Sequence, residues 1–277
     1  MGGPASVTRI SSRSRAARGV YLLPNLLTTA GLFCGVFSIA QTMQGFYFTA
    51  AFALFAAQVF DGIDGRVARL TNTTSRFGIE YDSLCDLVSF GIAPSLLIYQ
   101  WALLPWGVWG WLATATFVAC AAMRLARFNT MITEVDQGYF QGLPVPVASA
   151  QLASLVLMYN FIGKWGLPDK HIALLLMTYT LAVLMVSSLP YPSFKQLQLH
   201  KRQPFWALVA LIVYLQLLVA QTELVLFTMS IVYVSSGPGI AVYRWLRGRD
   251  VRPEGSRRWS DDVTDAPEVP ESDERVA

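Results

Sequence analysis

The chain has 277 residues, of which 54% are hydrophobic and 14% charged, with a net charge of +3 and a mean hydropathy of +0.43. That balance excludes an ordinary soluble domain and makes a bilayer the better solvent. The modest net charge also hides an asymmetry, because arginines gather beside apolar stretches while the C-terminal "SDDVTDAPEVPESDERVA" is acidic and polar.

Eight apolar stretches approach the roughly 20 residues that a hydrocarbon core of about 30 Å requires. They cover about 22–41, 45–62, 83–101, 106–123, 145–163, 171–190, 205–221 and 223–243. Each is expected to be a helix, since a backbone in lipid must satisfy its own hydrogen bonds. Arg9, Arg13, Arg15 and Arg18 precede the first stretch; Arg66, Arg69 and Arg76 follow the second; Arg124 and Arg127 follow the fourth. Lys195, Lys201 and Arg202 follow the sixth, and Arg244, Arg247 and Arg249 the eighth, whereas the intervening loops hold only Lys164 and Lys170. This alternation predicts an all-α, polytopic membrane helix bundle of about eight transmembrane helices with both termini cytoplasmic. It also accounts for the arginines without nucleic acid.

Residues 1–20 read as a basic cytoplasmic tail, 21–245 as the membrane-embedded domain and 246–277 as a polar tail that is disordered by composition. Cys34, Cys85 and Cys120 sit in apolar context without pairwise metal spacing and read as reduced structural thiols. His171 and His200 lie far from any acidic cluster in sequence and read as boundary residues.

One segment departs from the apolar pattern. "DGIDGRVARLTNTTSRFGIEYDSLCD", residues 61–86, holds five carboxylates and three arginines between two apolar runs. An Asp at a helix centre in a membrane costs roughly 2.5–3.5 kcal/mol, so charges kept there need partners or a task. Asp61 and Asp64 are three apart and Asp82 and Asp86 four apart, so each pair shares a helix face. Two such faces on adjacent helices would form an acidic pocket whose repulsion requires protons or cations. Carboxylate oxygens suit Mg²⁺ or Mn²⁺, and no His lies in the segment to favour zinc. The competing reading is a surface cluster of ion pairs with Arg66, Arg69 and Arg76. Gly65 and Gly78 leave room for phosphate or nucleotide beside Asp64 and Asp82, and Arg69 offers a planar fork one turn beyond Gly65.

Together these residues resemble the signature of the CDP-alcohol phosphotransferases, D-x2-D-G-x2-A-R-x8-G-x3-D-x3-D. Asp61, Asp64, Gly65, Ala68, Arg69, Gly78, Asp82 and Asp86 fill every fixed position. The resemblance implies that Asp61, Asp64 and Asp82 hold two divalent metal ions near a diphosphate, with Asp86 a ligand, a general base, or both. It further implies that Gly65, Arg69 and Gly78 face the CDP moiety.

"YLLPNLLTTAGLFCG" at 21–35, "RLARFN" at 124–129, "FQGLPVP" at 140–146 and "YPSFK" at 191–195 are similar to the membrane-embedded phosphatidylserine synthase branch of bacteria and archaea. That similarity implies phosphatidyl transfer from CDP-diacylglycerol to L-serine in a prokaryotic cytoplasmic membrane, with the site facing the cytoplasm and homodimers formed. Serine carries a carboxylate, which Arg124 and Arg127, three apart on one helix face, suit by charge and geometry, with Asn129 expected to add a polar contact; anchoring at the membrane boundary is the competing role for both arginines, and the likeness of "RLARFN" favours the substrate. Asn25, within "PN", is expected near CDP or in a structural role. Pro144 and Pro146 should bend the chain into the fifth span. Transfer to glycerol 3-phosphate or an inositol derivative is the nearest alternative, and a cation channel or transporter lined by carboxylates is the alternative from another class.

Overall fold

The computed structural model describes residues 13–71, 75–131, 139–163, 168, 170–192, 216–217 and 220–247, and of these the backbone alone at 13–22, 130–131 and 139–141. The described part is an all-α bundle with one very short strand pairing. In chain order, α1 spans Arg13–Met43, α2 Tyr47–Leu70 and α3 Arg76–Asp86. A π-helical turn at Leu87–Ile92, α4 at Ala93–Ile98, a second π-helical turn at Tyr99–Leu103 and a 3₁₀ turn at Leu104–Trp106 continue α3. After these come α5 (Val108–Met131), β1 (Tyr139–Gln141), α6 (Val145–Phe161), α7 (Ile172–Val186), β2 (Pro190–Pro192) and α8 (Thr222–Leu246).

Among the described residues, four helical runs are long and apolar enough to cross a membrane: Leu23–Met43, Arg76–Trp106, Val108–Asn129 and Thr222–Leu246. The chain is an integral membrane protein. α6 and α7 are apolar but shorter, at 17 and 15 residues, and α2 carries Asp61, Asp64, Arg66 and Arg69 in its second half. The expected span at 205–221 falls mainly outside the described residues. So do Lys164, Lys195, His200, Lys201, Arg202 and Arg249, the end of "YPSFK", residues 1–12 of the basic tail and nearly all of the acidic one.

α1 ends in a turn in which Phe46 N–H donates to Gln41 C=O at 2.9 Å and Gly45 N–H to Thr42 C=O at 3.1 Å, with Gly45 at φ 83. This glycine-dependent stop reverses the chain at once into α2. The two helices pack closely: Ala50, Ala51 and Ala57 of α2 are small and fully buried beside the larger Leu54, and Ser38 Oγ donates to Ala50 C=O at 2.9 Å. Gly35 lies so close to the π-helical turn that a Cβ would come within 2.5 Å of Ser89 Oγ and 2.8 Å of Ser89 Cα. Without a hydrophobic drive between helices in lipid, this close approach supplies the packing. Behind it, Phe90, Leu97, Ile98, Phe117, Leu152 and Leu181 form a continuous core.

The helical run from residue 76 starts earlier than the apolar stretch at 83–101, because Ser75 accepts from Gly78 N–H at 3.0 Å and caps α3. Likewise α5 continues past residue 123 and carries Arg124 and Arg127 on helix.

The expected bend at Pro144 is present as the residue before α6. "FQGLPVP" and "YPSFK" also meet, because β1 pairs antiparallel with β2 in the register Phe140↔Tyr191. Three-residue strands, one with two prolines, carry no readable strand period. Tyr191 then anchors α8. Pro238 has no N–H to give Val234 C=O four residues earlier, and the Tyr191 hydroxyl donates to that carbonyl at 3.2 Å. The fully buried Tyr191 ring occupies the space a Gly237 Cβ would need, its ring atoms within 2.6 and 2.7 Å of that position.

Tyr191→Phe should therefore keep the packing but leave Val234 C=O unpaired, lowering stability by about 1–3 kcal/mol. Gly237→Ala should destabilise more, since the Tyr191 ring has to leave its place. Thermal unfolding of the detergent-solubilised variants checks both, and an unchanged midpoint in Tyr191→Phe would mean that the carbonyl finds another donor.

Candidate active site

The site is built where α1, α2 and α3 meet. On α2, Asp61 and Asp64 lie three residues apart; on α3, Gly78, Asp82 and Asp86 stack at intervals of four, a register started by the Ser75 cap. Carboxylate oxygens of Asp61, Asp64 and Asp82 all lie within 4.8 Å of one another. Asp86 lines the same cleft, as do Thr28 of α1 and Ser89 of the π-helical turn. The widened turn directly after Asp86 is a feature common at functional positions.

Thr28 fixes one of these carboxylates. Its Oγ1 lies 2.6 Å from Asp64 Oδ2 and 3.1 Å from Pro24 C=O, and its single proton has the shorter path to the carboxylate. Thr28 and Asp64 are only 8% and 4% exposed, so water competes little for this bond. Asp64 is thereby tied to α1 while it stays among its acidic neighbours. The sequence reading missed Thr28, because a Thr in an apolar helix normally bonds back to its own preceding turn and gives no sign of a distant partner.

Three convergent carboxylates without imidazole fit a hard divalent cation. His171 precedes α7, remote in sequence, and His200 lies outside the described residues. The surface ion-pair reading fares poorly: Arg66, Arg69 and Arg76 are exposed, and none forms an ion pair with the four aspartates among the described residues. Cys85 is buried in the cleft wall and Cys34 and Cys120 are also free thiols, as expected.

The other expected site residues fall into two groups. On the α1–α3 side, a Cβ at Gly78 would lie 3.4 Å from Asn25 Oδ1 and 3.1 Å from Ser75 Oγ, so Asn25 and Gly78 share a tight spot. Thr29 joins them to α3, its hydroxyl 2.9 Å from the Tyr81 hydroxyl. Gly65 is exposed with nothing within 4 Å of its added Cβ, and Arg69 is exposed one turn further along. On the α5 side, Arg124 stands close enough to Asp86 and to the Tyr233 phenol of α8 for electrostatic interaction with both. Arg127 is half-buried one turn on. Asn129 instead reaches α3: its Nδ2 donates to Ser83 Oγ at 3.0 Å and Glu80 Oε2 at 3.4 Å, and its Oδ1 lies 3.2 Å from Ser83 Oγ. Ser83, Glu80 and Tyr233 were not legible as neighbours of these residues, Tyr233 being more than a hundred positions from Arg124.

Residues 21–189 match the model of the family described as CDP-alcohol phosphatidyltransferase. A CDP-diacylglycerol–serine O-phosphatidyltransferase of Helicobacter pylori is 41% identical over 181 residues, covering 65% of this chain and 75% of that protein. One of the same name from Mycobacterium leprae is 30% identical over 242 residues, 84% of this chain and 79% of its own. An archaetidylserine synthase of Methanothermobacter thermautotrophicus is 35% identical over 172 residues, 61% and 69% of the two chains. With the family match spanning α1 to the end of α7 and all eight signature positions lying on α2 and α3, the four aspartates among them lining one cleft, the chain belongs to the CDP-alcohol phosphatidyltransferase family.

Proposed function

We propose that the protein transfers a phosphatidyl group from CDP-diacylglycerol to L-serine, giving phosphatidylserine and CMP. The observation that carries this reading is the convergence of the signature carboxylates on α2 and α3, with oxygens within 4.8 Å, in a chain whose relatives are named for serine as acceptor. The archaeal relative is informative because its name changes the lipid and keeps the serine. What the proteins share is then the acceptor.

In this reading Asp61, Asp64 and Asp82, with Asp86 at their edge, hold Mg²⁺ or Mn²⁺. Bound there, the cations offset charge on the diphosphate and on departing CMP. Gly65 lets the CDP diphosphate approach the α2 backbone, and Arg69 pairs with its oxygens. Asn25 and Gly78 form the neighbouring wall for the nucleotide. Arg124 and Arg127 receive the serine carboxylate, and Asn129 braces α5 against α3 through Ser83. Asp86 takes the proton of the serine hydroxyl as that oxygen bonds to the lipid-linked phosphorus and the bond from phosphorus to the CMP oxygen breaks, CMP leaving with the electron pair.

Arginines beside the apolar runs support eight spans, cytoplasmic termini and a site open to the cytoplasm. The functional domain is 21–245, flanked by the tails 1–20 and 246–277, and the active form is a homodimer in a prokaryotic cytoplasmic membrane.

With CDP-diacylglycerol as donor, CMP release should be fastest with serine among serine, glycerol 3-phosphate and inositol phosphate. A clear preference for glycerol 3-phosphate would keep the family and remove the serine assignment. Asp86→Asn should abolish turnover yet retain most metal-dependent CDP-diacylglycerol binding, whereas Asn at 61, 64 or 82 should weaken that binding. Measuring binding against metal concentration beside turnover separates the roles, since equal loss in all four variants would make Asp86 chiefly a ligand. Thr28→Val should raise the Mg²⁺ or Mn²⁺ concentration needed for half-maximal activity by roughly tenfold, the worth of one hydrogen bond to a charged group, while Thr28→Ser stays near the parent. The same requirement in Thr28→Val and the parent would show that Asp64 holds its orientation unaided.

A further inference from the structure

Gln151 of α6 is only 2% exposed, and neither its amide nitrogen nor its amide oxygen has a hydrogen-bond partner. A buried primary amide with both ends unpaired costs about as much as several lost hydrogen bonds, so its retention in an apolar helix calls for a ligand.

Its direction follows from its neighbours on α6. Ser154 faces α8, its hydroxyl 3.0 Å from Ser230 Oγ, and Tyr159 faces the second π-helical turn, its ring 5.2 Å from that of Trp101. At about 100° per residue, Gln151 projects roughly 60° from Ser154 and roughly 80° from Tyr159, in the sector between α8 and the helical run that follows Asp86.

Its height follows as well. α6 and α8 run antiparallel here, because the β1–β2 pairing sits at the start of α6 and binds α8 at Val234 and Gly237, beyond Ser230. Gln151 lies three residues before Ser154 and Tyr233 three after Ser230, so both are displaced by about 4.5 Å toward the same end.

Arg124 stands in that sector. It interacts with Asp86 on one side and with the Tyr233 phenol on the other, and its buried Nε has no hydrogen-bond partner. The Tyr233 ring is itself fixed, stacked on Tyr191 with centroids 5.7 Å apart and its hydroxyl bonded to Pro192 C=O at 3.2 Å. The unpaired Gln151 amide, by its direction and height on α6, thus faces the sector in which the Arg124 guanidinium, with its Nε unpaired, stands beside Asp86.

We propose that Gln151 binds the acceptor amino acid by accepting its ammonium group at Oε1, while Arg124, beside Tyr233, takes the carboxylate. This deepens the proposed function and rests on it. It supplies the group that the arginines cannot, since a cation repels the serine ammonium and an amide oxygen accepts from it. Placed between them, the serine hydroxyl is presented to Asp86.

The test compares serine with 3-hydroxypropionate, which keeps the hydroxyl and carboxylate and lacks the ammonium, as acceptors for CMP release by the full-length protein in detergent or vesicles. Gln151→Leu should raise KM for serine by about tenfold to a hundredfold, with kcat and the KM for CDP-diacylglycerol nearly unchanged. It should also narrow the preference for serine over 3-hydroxypropionate by the same factor. Gln151→Glu keeps an acceptor at that place and should retain the preference. Gln151→Met, matched in length, gives the same reading as Leu if the branched side chain does not pack.

Parent-like serine KM and parent-like preference in Gln151→Leu or Gln151→Met would overturn the inference alone. Parent protein that releases CMP with another alcohol and not with serine would overturn the functional reading, and this inference with it.

Discussion

Mutual repulsion among Asp61, Asp64, Asp82 and Asp86 is the constraint around which the bundle is built. Carboxylates this close drive apart the helices that carry them unless packing elsewhere is tight and a counter-charge is admitted. α1 meets both demands. Its small residues let α2 and the turn after α3 come close, at Ser38 and Gly35, while Thr28 reaches across to hold Asp64. Filling Gly35's space or removing Thr28's hydroxyl would act on the same cluster from opposite ends: one spreads the helices, the other releases the Asp64 carboxylate.

The acidic segment was legible because its chemistry is local. Asp61 to Asp86 lie within 26 residues, helical spacing alone puts each pair on one face, and the glycines and Arg69 complete a recognisable register. All-α membrane architecture was legible from the apolar runs. Length was harder to read: the helix through 76–106 begins with a Ser cap well before its apolar core, and α6 and α7 are shorter than the apolar stretches that contain them. Contacts across the chain left no local trace. Thr28 with Asp64, Asn129 with Ser83, and Arg124 with Tyr233 each depend on how helices pack, which neither periodicity nor spacing encodes.

The motifs at 140–146 and 191–195 looked chemically empty, yet their backbone explains how α8 is placed. Pairing of β1 with β2 brings Tyr191 inward, and Pro238 creates the unpaired carbonyl that its hydroxyl satisfies. A proline in a lipid-embedded helix is tolerated when a neighbour replaces the missing donor, and here the neighbour belongs to another motif. The consequence reaches the site. Tyr233, next in line on α8, stacks on that same Tyr191 ring and stands beside Arg124.

This arrangement divides the work between two halves of the bundle. α1, α2 and α3 supply the acidic cluster and the open glycine at 65, features that suit a diphosphate and its cations. α5, α6 and α8 supply Arg124, Gln151 and Tyr233, features that suit a small zwitterion. Asp86 is the residue that faces both, lining the acidic cleft while interacting with Arg124. The π-helical turn begins immediately after it, and the extra residue in that turn rotates everything beyond relative to the signature face. A single helical run can then present Asp82 and Asp86 to the acidic cleft and still bury its continuation, through Phe90 and Leu97, in the common core. If the proposed acceptor residues are right, chemistry shared across the family and selectivity for one acceptor are carried on different helices, so the acceptor wall could change without disturbing the carboxylates.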